Sequence, residues 1–291
     1  MAYHVPVLTQ QVVEGLQVKA GGSYIDCTVG EGGHSRAILE TLSPGGRLLG
    51  IDLDPQALET AEEQLRTFRE ICTLTNDNFR DLGRIARDQG FYPVDGILFD
   101  LGLSSLQLEG EGKGFSFRAE DPLDMRFDPR QEVTAWEVVN RYSQGDLTRI
   151  IGIYGEEHRA GRIAREIAEN RPIDTSLQLA QVVARAVSRP WGRIHPATRT
   201  FQAIRMEVNR ELENLELALR QAISLLVHGG RVVVISYHSL EDRLVKNIFR
   251  QESREAKTIQ LVTKKVISPS HEEVRTNRRS RSARMRVAER I

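Results

Sequence analysis

The sequence predicts a doubly wound α/β fold that an all-helical segment interrupts. Short apolar runs alternate with amphipathic helical patterns through the first hundred residues, as in a parallel sheet with helices on both faces. That alternation stops near residue 106 and resumes near residue 196. We therefore assign residues 1–108 to the first part of an α/β core, 109–197 to an inserted loop and helical domain, and 198–291 to the second part of the core with a basic C-terminal segment.

The individual elements follow from the spacing of apolar residues and from turn residues. The first four strands are predicted at 24–29, 47–53, 72–77 and 95–101, with helices between them. Pro55 favours a helix start, because proline fits the first helical turn. An apolar stripe from Phe201 to Leu219 predicts one long helix that stops at His228-Gly229-Gly230. After it come a strand, a helix and two final strands, in the segments RVVVISY, LEDRLVKNIFRQE, TIQLVTKKVI and ARMRVAER.

Composition excludes several classes of protein. The apolar runs are strand-sized and too short to cross a membrane, and two cysteines are too few for a disulfide framework. The first residues lack a basic, apolar leader, so we expect a cytoplasmic protein without a membrane partner. We expect no metal, because no spacing typical of metal ligands is found among His4, His158, His195, Glu156 and Glu157.

The basic residues are almost all arginine, with 34 Arg and 6 Lys making up the 40. The formal net charge is zero, which argues against a generic polycation. Arginine is nevertheless concentrated between residues 130 and 199 and again after residue 275. Local basic surfaces of this kind fit a nucleic-acid partner. A coding bias and ordinary solvated faces are the alternatives.

A glycine turn follows the first predicted strand in the segment YIDCTVGEGGHS. Gly30, Gly32 and Gly33 would let a ligand approach the backbone where a helix begins and presents free N–H groups. A dinucleotide-binding fingerprint requires a third glycine where this chain has Ser35. The spacing instead resembles the first motif of class I S-adenosylmethionine methyltransferases, with Asp52 placed to accept ribose hydroxyls. The alternative is a tight turn and a surface aspartate.

Two further residues end predicted strands at the edge where ligands bind in such sheets. Phe79 could stack on an adenine, although a phenylalanine after a strand is also typical of a core. Asp100 occupies the position where methyltransferases that act on exocyclic amines carry an acidic or amide residue. A strand-end aspartate can also cap the next helix.

Eight blocks of sequence together resemble the RsmH family, also called MraW, over nearly the whole chain. They are HVPVL, DCTVGEGGHS, GIDLDPQA, DGILFDLGLSSLQL, GFSFRAEDPLDMRFD, HPATRTFQAIR, ISYHSLEDRLVK and RVAER. The resemblance implies S-adenosylmethionine-dependent methylation of the N(4) amine of a cytidine in the decoding region of small-subunit ribosomal RNA. It implies an assembled or nearly assembled subunit as partner, and it suggests a homodimer. The implied cofactor contacts are Gly32, Gly33, His34, Asp52, Phe79, Asp100 and Gln107, to which the turn itself adds Gly30.

Residues for catalysis and substrate binding are less closely defined. Asp100 and His238 are the catalytic candidates, and Ser239 could contact the target base or cap the helix that follows. Arg159, Arg162 and Arg165 are spaced three apart and predict one basic ridge on a helical substrate-recognition domain. The full set of substrate-binding candidates is Arg126, Arg159, Arg162, Arg165, Arg199, Arg205 and Ser239.

Two segments beside these candidates carry further expectations. His195-Pro196 opens a helix that could hold a phosphate together with Arg199 and Arg205. The loop around Asp121–Asp128 alternates charged residues with Phe and Met, which predicts a lid packed near the active site.

Two rival functions remain open from the sequence. One is a methyltransferase for a protein or a small molecule, which would not need basic helices or an arginine-rich tail. The other is an RNA-binding assembly factor with a methyltransferase fold, in which catalysis is secondary or lost. The presence of Gly32, Asp52 and Asp100 argues against loss of catalysis.

Overall fold

A computed structural model describes residues 6–42, 44–103, 112–117, 120–187 and 195–291. The chain forms two compact units. The core unit comprises Met1–Ser104 and Leu212–Ile291, and the helical unit comprises Ser105–Glu211. None of the described helices is both long enough and apolar enough to span a membrane.

The core unit is built on one seven-stranded sheet within the described ranges. Its strands are β1 Ser23–Asp26, β2 Arg47–Asp52, β3 Cys72–Asn76, β4 Val94–Asp100, β5 Leu226–Ser236, β6 Ile259–Leu261 and β7 Arg284–Arg290. Their order is β3-β2-β1-β4-β5-β7-β6. Strands β1 to β5 run parallel, and β7 pairs antiparallel with both of its neighbours. The order reverses between β1 and β4, which opens a crevice at the carboxyl ends of these strands.

Twelve α-helices accompany the strands in the described part of the chain. They are α1 Thr9–Leu16, α2 Gly33–Leu42, α3 Pro55–Gln64, α4 Leu82–Asp88, α5 Ala135–Arg141, α6 Gln144–Ile153, α7 Ala160–Glu169, α8 Ser176–Val187, α9 Thr198–Asn209, α10 Glu211–Leu225, α11 Ser239–Gln251 and α12 His271–Thr276. Helices α5 to α9 belong to the helical unit, and the rest belong to the core unit except for the first residue of α10.

Both faces of the sheet are buried under helices, as the alternating pattern predicts. On β4, Ile97 and Phe99 face a cluster with the apolar residues of α4, α10 and α11. Leu98 faces the opposite cluster, which includes the apolar residues of α1 and α2. A parallel strand buried on both sides needs a continuous apolar run, and ILF in β4 provides one. The predicted doubly wound α/β fold is therefore confirmed.

The helical unit packs its helices through narrow apolar faces. Helix α7 buries Ile163, Ala164 and Ile167 and exposes the opposite side. Thr134 begins α5 with a reciprocal capping box to Glu137, which satisfies N–H groups that would otherwise lack partners at the helix start. Burial of these faces positions the arginines of α7 on the outside of the unit.

The predicted long helix is wrong, since α9 and α10 are separate helices. Arg210 between them has a φ of 49°, a left-handed conformation that ends α9. The apolar stripe continues across this single residue, and periodicity therefore does not reveal the break. Helix α9 packs on α5 and α6, so it lies in the helical unit and not in the second part of the core, where residues 198–209 were assigned.

Strand β5 also differs from the prediction at its start. Helix α10 ends at Leu225, and β5 begins at Leu226, so His228-Gly229-Gly230 is not a helix stop. Val94 pairs with Leu226, while Gly96 pairs with Arg231, so the intervening residues of β5 form a bulge. Gly229 adopts a φ of 79° within it, which glycine permits without a Cβ penalty. The predicted strand TIQLVTKKVI shortens to Ile259–Leu261.

Candidate functional site

The glycine turn between β1 and α2 forms one wall of the crevice. Gly30 and Gly32 have φ values of 53° and 91°, which L side chains rarely adopt. A Cβ on Gly33 would lie 3.1 Å from the Pro6 ring, so the turn is also closely packed. The first α-helical bond of α2 runs from the Arg36 N–H to the Gly32 carbonyl. The N–H groups before it therefore form the open, positive end of the helix.

Asp52 at the end of β2 joins this turn to the neighbouring strand. Its Oδ2 accepts the Gly30 N–H at 2.7 Å, and its Oδ1 accepts the Asp54 N–H at 2.9 Å. Burial raises the pKa of Asp52 to about 6, against the lowering effect of these two bonds. Each carboxylate oxygen has a second lone pair. Asp52 can thus hold the turn and accept ribose hydroxyls at the same time.

Asp26 explains why a serine stands where a dinucleotide fingerprint has its third glycine. This carboxylate is fully buried at the end of β1. Its Oδ2 accepts the Ser35 hydroxyl at 2.7 Å, and its Oδ1 accepts the Thr28 N–H at 3.1 Å. Burial raises the pKa of Asp26, and the Ser35 hydrogen bond opposes that shift. Ser35 therefore anchors the first turn of α2 to the sheet.

Phe79 follows β3 and packs partly into the core. Its ring lies edge-to-face on Phe99, with the centroids 5.8 Å apart. It is half-buried, so this contact leaves part of the ring exposed. Core packing and adenine stacking are compatible at this residue. Gln107 lies outside the described residues.

Asp100 ends β4, the strand beside β1 at the point where the order reverses. Its backbone N–H donates to the Thr28 hydroxyl at 2.7 Å, and its Oδ1 accepts the Gly102 N–H at 3.4 Å. Nε2 of His34, at the start of α2, lies 3.3 Å from its Oδ2. The structure therefore brings His34, a predicted cofactor contact, together with Asp100, which is predicted both as a cofactor contact and as one of two catalytic residues.

His34 is buried and surrounded by carboxylates. Burial lowers the pKa of His34, but Asp100, Asp26 and Glu273 outweigh it and raise the pKa above its ordinary value. Neither ring nitrogen forms a hydrogen bond of good geometry within the described residues. The ring is thus held by packing and by charge, and not by a directed bond.

His238 acts as the N-cap of α11. Its Nδ1 accepts the Glu241 N–H at 3.4 Å, and the Glu241 carboxylate accepts the His238 N–H at 3.3 Å. Nε2 of His238 lies 3.1 Å from Oε1 of Glu241. Ser239 is the first residue of the helix, so of the two alternatives left open for it the N-cap role falls to His238 instead, and contact with the target base stays a prediction. His238 consequently has a structural role beside any catalytic one.

Tyr237, just before this cap, is a residue of the site that sequence reasoning missed. Its ring lies so close to Gly102 that a Cβ there would be 2.8 Å from a ring carbon and 3.2 Å from the hydroxyl oxygen. Burial, then the charge of Asp100 and hydrogen bonding to it, raises the pKa of Tyr237. A tyrosine at the exit of β5, next to β4, was the signal that could have identified it.

Three of the predicted substrate-binding arginines are engaged within the helical unit. Arg126 forms two bonds to the Asp124 carboxylate, both at 2.8 Å, and two more to backbone carbonyls. Arg205 pairs with Glu211 through bonds of 2.7 and 2.8 Å and is largely buried. Arg159 donates to the Val187 carbonyl at 2.6 Å. These side chains stabilise loops and helix ends.

The other predicted substrate-binding arginines of the helical unit, Arg162, Arg165 and Arg199, are exposed. Arg162 and Arg165 lie on the open face of α7. Arg199 is about half exposed and donates to the Glu156 carbonyl at 3.1 Å. The predicted ridge of three arginines therefore consists of two exposed side chains, while Arg159 turns toward the end of α8.

The loop that was predicted to be a lid packs into the helical unit. Met125 is fully buried, and the buried Asn209 of α9 donates to its carbonyl at 2.8 Å. Asn209 also accepts the Phe127 N–H at 2.9 Å. His195 stacks on Phe117 with 4.5 Å between ring centroids, and burial lowers its pKa. The alternating apolar residues of this loop thus find partners within their own unit.

The C-terminal arginines divide between structural pairs and exposed positions. Arg286 binds the Asp242 carboxylate at 2.7 Å, and Arg284 reaches it at 3.3 Å. Arg275, Arg278 and Arg281 are exposed in and just after α12. These three exposed arginines of the core unit are here named the C-terminal arginine patch.

Comparison with known proteins gives a consistent result across the whole chain. The model of the MraW methylase family matches residues 1–291. A ribosomal RNA small subunit methyltransferase H from Dehalococcoides mccartyi is 53% identical over 302 residues, covering 99% of this chain and 86% of that protein. One of the same name from Thermotoga neapolitana is 51% identical over 292 residues, covering 99% and 96%. Another from Cyanothece sp. is 49% identical over 288 residues, covering 99% and 95%.

Proposed function

The chain belongs to the MraW methylase family, and on that premise we propose that it methylates the N(4) amine of a cytidine in small-subunit ribosomal RNA. It is an S-adenosylmethionine-dependent methyltransferase. The observation that carries the proposal is the placement of two carboxylates at one crevice. Asp52 ends β2 beneath the glycine turn, and Asp100 ends β4 on the other side of β1.

The residues at the crevice fit S-adenosylmethionine as cofactor. The positive end of α2 suits its carboxylate, Asp52 suits its ribose hydroxyls, and the exposed part of the Phe79 ring suits its adenine. Gly30 leaves the backbone open beside these groups, because a Cβ there would meet nothing within 4 Å, while Gly32 and Gly33 let the turn pack tightly. When bound, the cofactor supplies a methyl group on a positively charged sulfur.

Asp100 supplies what the acceptor amine needs. The lone pair of a cytosine amino nitrogen is delocalised into the ring, which makes that nitrogen a poor nucleophile. A carboxylate that accepts a hydrogen bond from the amine helps to localise the lone pair and favours the positive charge that develops on nitrogen. Positioning of the base against the methyl donor provides much of the remaining rate.

The substrate and setting follow from the named relatives and from the charge of the surface. The relatives are named for the small-subunit ribosomal RNA, and we assign the same substrate class to this chain. The exposed arginines of α7 and of the C-terminal arginine patch suit RNA phosphates. We further propose that the partner is an assembled or nearly assembled subunit in the cytoplasm, that the target base leaves its stack to react, and that the protein acts as a homodimer.

Transfer of a labelled methyl group tests this function directly. The protein is incubated with methyl-labelled S-adenosylmethionine and either small ribosomal subunits, naked small-subunit RNA, or a pool of proteins and metabolites. We expect label in RNA from the assembled subunit, and N(4)-methylcytidine after digestion and mass spectrometry. Label in the protein or metabolite pool, or a methyl group on a ring carbon or ribose, would contradict the proposal. Absence of transfer to every substrate would support the assembly-factor alternative.

A further inference from the structure

We propose that Tyr237 and His34 are positioning residues for the Asp100 carboxylate, which together they hold in the orientation that receives the target amine. This inference rests on the proposed function and assigns roles in that same reaction. Tyr237 lies on the segment between β5 and α11, and His34 lies in the first turn of α2. The two side chains therefore reach Asp100 from two different elements of the core unit.

Each carboxylate oxygen of Asp100 has a neighbour that fixes its position. Oδ1 accepts the Gly102 N–H at 3.4 Å, and Oδ2 lies 3.3 Å from Nε2 of His34. Its backbone is fixed by the 2.7 Å bond from its N–H to the Thr28 hydroxyl. A carboxylate with a defined neighbour at each oxygen has few rotamers available, and its remaining lone pairs point in fixed directions.

Tyr237 reaches the same carboxylate across Gly102. The ring lies against the Gly102 backbone so closely that an added Cβ would be 2.8 Å from it, which requires glycine at this position. The charges that act on the Tyr237 hydroxyl come from Asp100, Glu241 and Glu273, and burial together with these charges raises its pKa. The hydroxyl therefore keeps its proton, and it lies beside Gly102, the residue whose N–H is bonded to Oδ1 of Asp100, where it can act as a donor and not as a base.

His34 complements this donor from the side of the cofactor turn. Asp26, Asp100 and Glu273 face its ring, and despite the opposing effect of burial they raise its pKa. Nε2 of His34 lies 3.3 Å from Oδ2 of Asp100, so His34 joins the start of α2 to the end of β4.

The experiment compares two tyrosines that lose the same atom. Tyr237→Phe keeps the ring on Gly102 and removes the hydroxyl. Tyr24→Phe is the matched control, since its hydroxyl is also in the core unit but bonds to the Gln17 carbonyl at 3.2 Å and to the Lys19 N–H at 3.1 Å. Single-turnover methyl transfer to small subunits is measured at saturating S-adenosylmethionine, and cofactor affinity and melting temperature are measured alongside it.

We expect Tyr237→Phe to slow the transfer step by roughly tenfold to a hundredfold, the value of a hydrogen bond to a charged group, with cofactor affinity unchanged. Tyr24→Phe should lower the melting temperature and leave the rate unchanged. In an Asp100→Asn background, Tyr237→Phe should slow the step little further, because residues that act through one group are not additive.

Two results would overturn the inference. One is a Tyr237→Phe rate equal to that of the parent, and the other is a loss that multiplies fully with that of Asp100→Asn. Failure of the proposed function is a separate result, because it appears in the parent protein as the absence of N(4)-methylcytidine before any variant is compared. Replacement of His34 by Gln, which keeps a polar group near Oδ2, should retain more activity than replacement by Leu.

Discussion

Asp52 shows how one carboxylate can serve the fold and the ligand together. Each of its oxygens accepts a backbone N–H, one from the glycine turn and one from the start of the segment leading to α3. Those bonds fix the turn before any ligand arrives, which lowers the entropy that binding must remove. Burial holds the pKa of this carboxyl at about 6, well above its ordinary value. Cofactor binding should therefore depend on pH near neutrality.

Replacement of Asp52 by Asn should weaken S-adenosylmethionine binding by about tenfold to a hundredfold, because a charged acceptor is lost. In the parent protein, ribose hydroxyls favour the ionised form of the Asp52 carboxyl. At a pH below the pKa of Asp52, binding of S-adenosylmethionine must therefore release a proton from this group. Affinity should rise as the pH increases from about 5 and level off above about 7. Titration calorimetry across this range measures both effects.

Asp54→Asn is the control, since asparagine also caps a helix and Asp54 accepts the Gln56 N–H at the start of α3. That variant should keep the pH dependence of the parent. If instead Asp52→Asn retained full affinity and the same pH profile, the ribose assignment would move to Asp54.

The arginines at α7 are of two kinds, exposed ones on the helix and one before its start that bonds within the helical unit. Arg162 and Arg165 project from the exposed face, whereas Arg159 precedes the helix and donates to the Val187 carbonyl. Three-residue spacing alone could not distinguish them, because Arg159 lies before the first helical residue and its backbone is not helical. The distinction predicts different consequences for RNA binding and for stability.

Arg162→Ser combined with Arg165→Ser should weaken RNA binding and flatten its salt dependence. For single-stranded RNA each phosphate contact contributes about 0.7 to the slope of log K against log salt, so two contacts remove about 1.4. Cofactor affinity should not change. Arg159→Ser should instead lower the melting temperature and preserve the slope. An unaltered slope in the double variant would make this face an ordinary solvated surface.

Helix α12 links the C-terminal segment to the glycine turn between β1 and α2. Oε1 of Glu273 accepts the Leu8 N–H at 2.7 Å, where Leu8 has a left-handed φ of 56°. Pro6, two residues earlier, packs against Gly33. A chain of contacts therefore runs from α12 to the residues at the start of α1 and from there to the glycine turn. No local pattern in the sequence could predict a bond between residues 8 and 273.

Glu273→Ala should lower S-adenosylmethionine affinity several-fold and reduce the melting temperature, because a partly buried N–H would lose its charged acceptor. Glu272→Ala provides the matched control, since Glu272 is its exposed neighbour on the same helix. Calorimetry and thermal unfolding of both variants measure the difference. Equal behaviour of the two variants would show that α12 does not support the turn.

The parts of the molecule that sequence could predict are those with a repeating physical signal. Apolar runs on β1, β2 and β4 and the amphipathic helices between them made the sheet predictable, and strand-end carboxylates at residues 52 and 100 marked the crevice. The break at Arg210 depends on one backbone conformation and leaves the apolar period intact. The contact of Asp100 with His34, and the nearby position of Tyr237, arise from three elements that meet through tertiary packing; the strand-exit position of Tyr237 marks it as a candidate but does not reveal its neighbours.

Charge over the whole molecule is balanced, so attraction to RNA must come from local regions with an excess of positive charge. The formal net charge is zero, yet α7 and the C-terminal arginine patch each expose arginines. Counterions released from each bound phosphate contribute separately to the salt dependence of binding. If two surfaces contact different phosphates, the changes in salt slope caused by replacing their arginines should consequently be additive.

Replacement of Arg275, Arg278 and Arg281 by Ser should weaken binding to small-subunit RNA and reduce the salt slope by about 2, at 0.7 for each single-stranded phosphate contact. Combined with the Arg162 and Arg165 replacements, the two reductions should add. Arg36→Ser is the control, because Arg36 is an exposed arginine that pairs with Glu40 at 2.8 Å on α2. Binding titrations at several salt concentrations measure each slope. A slope unchanged by the triple replacement would exclude the C-terminal arginine patch from the RNA interface. If the combined variant changed the slope by less than the sum of the two separate changes, the two surfaces would compete for the same phosphates.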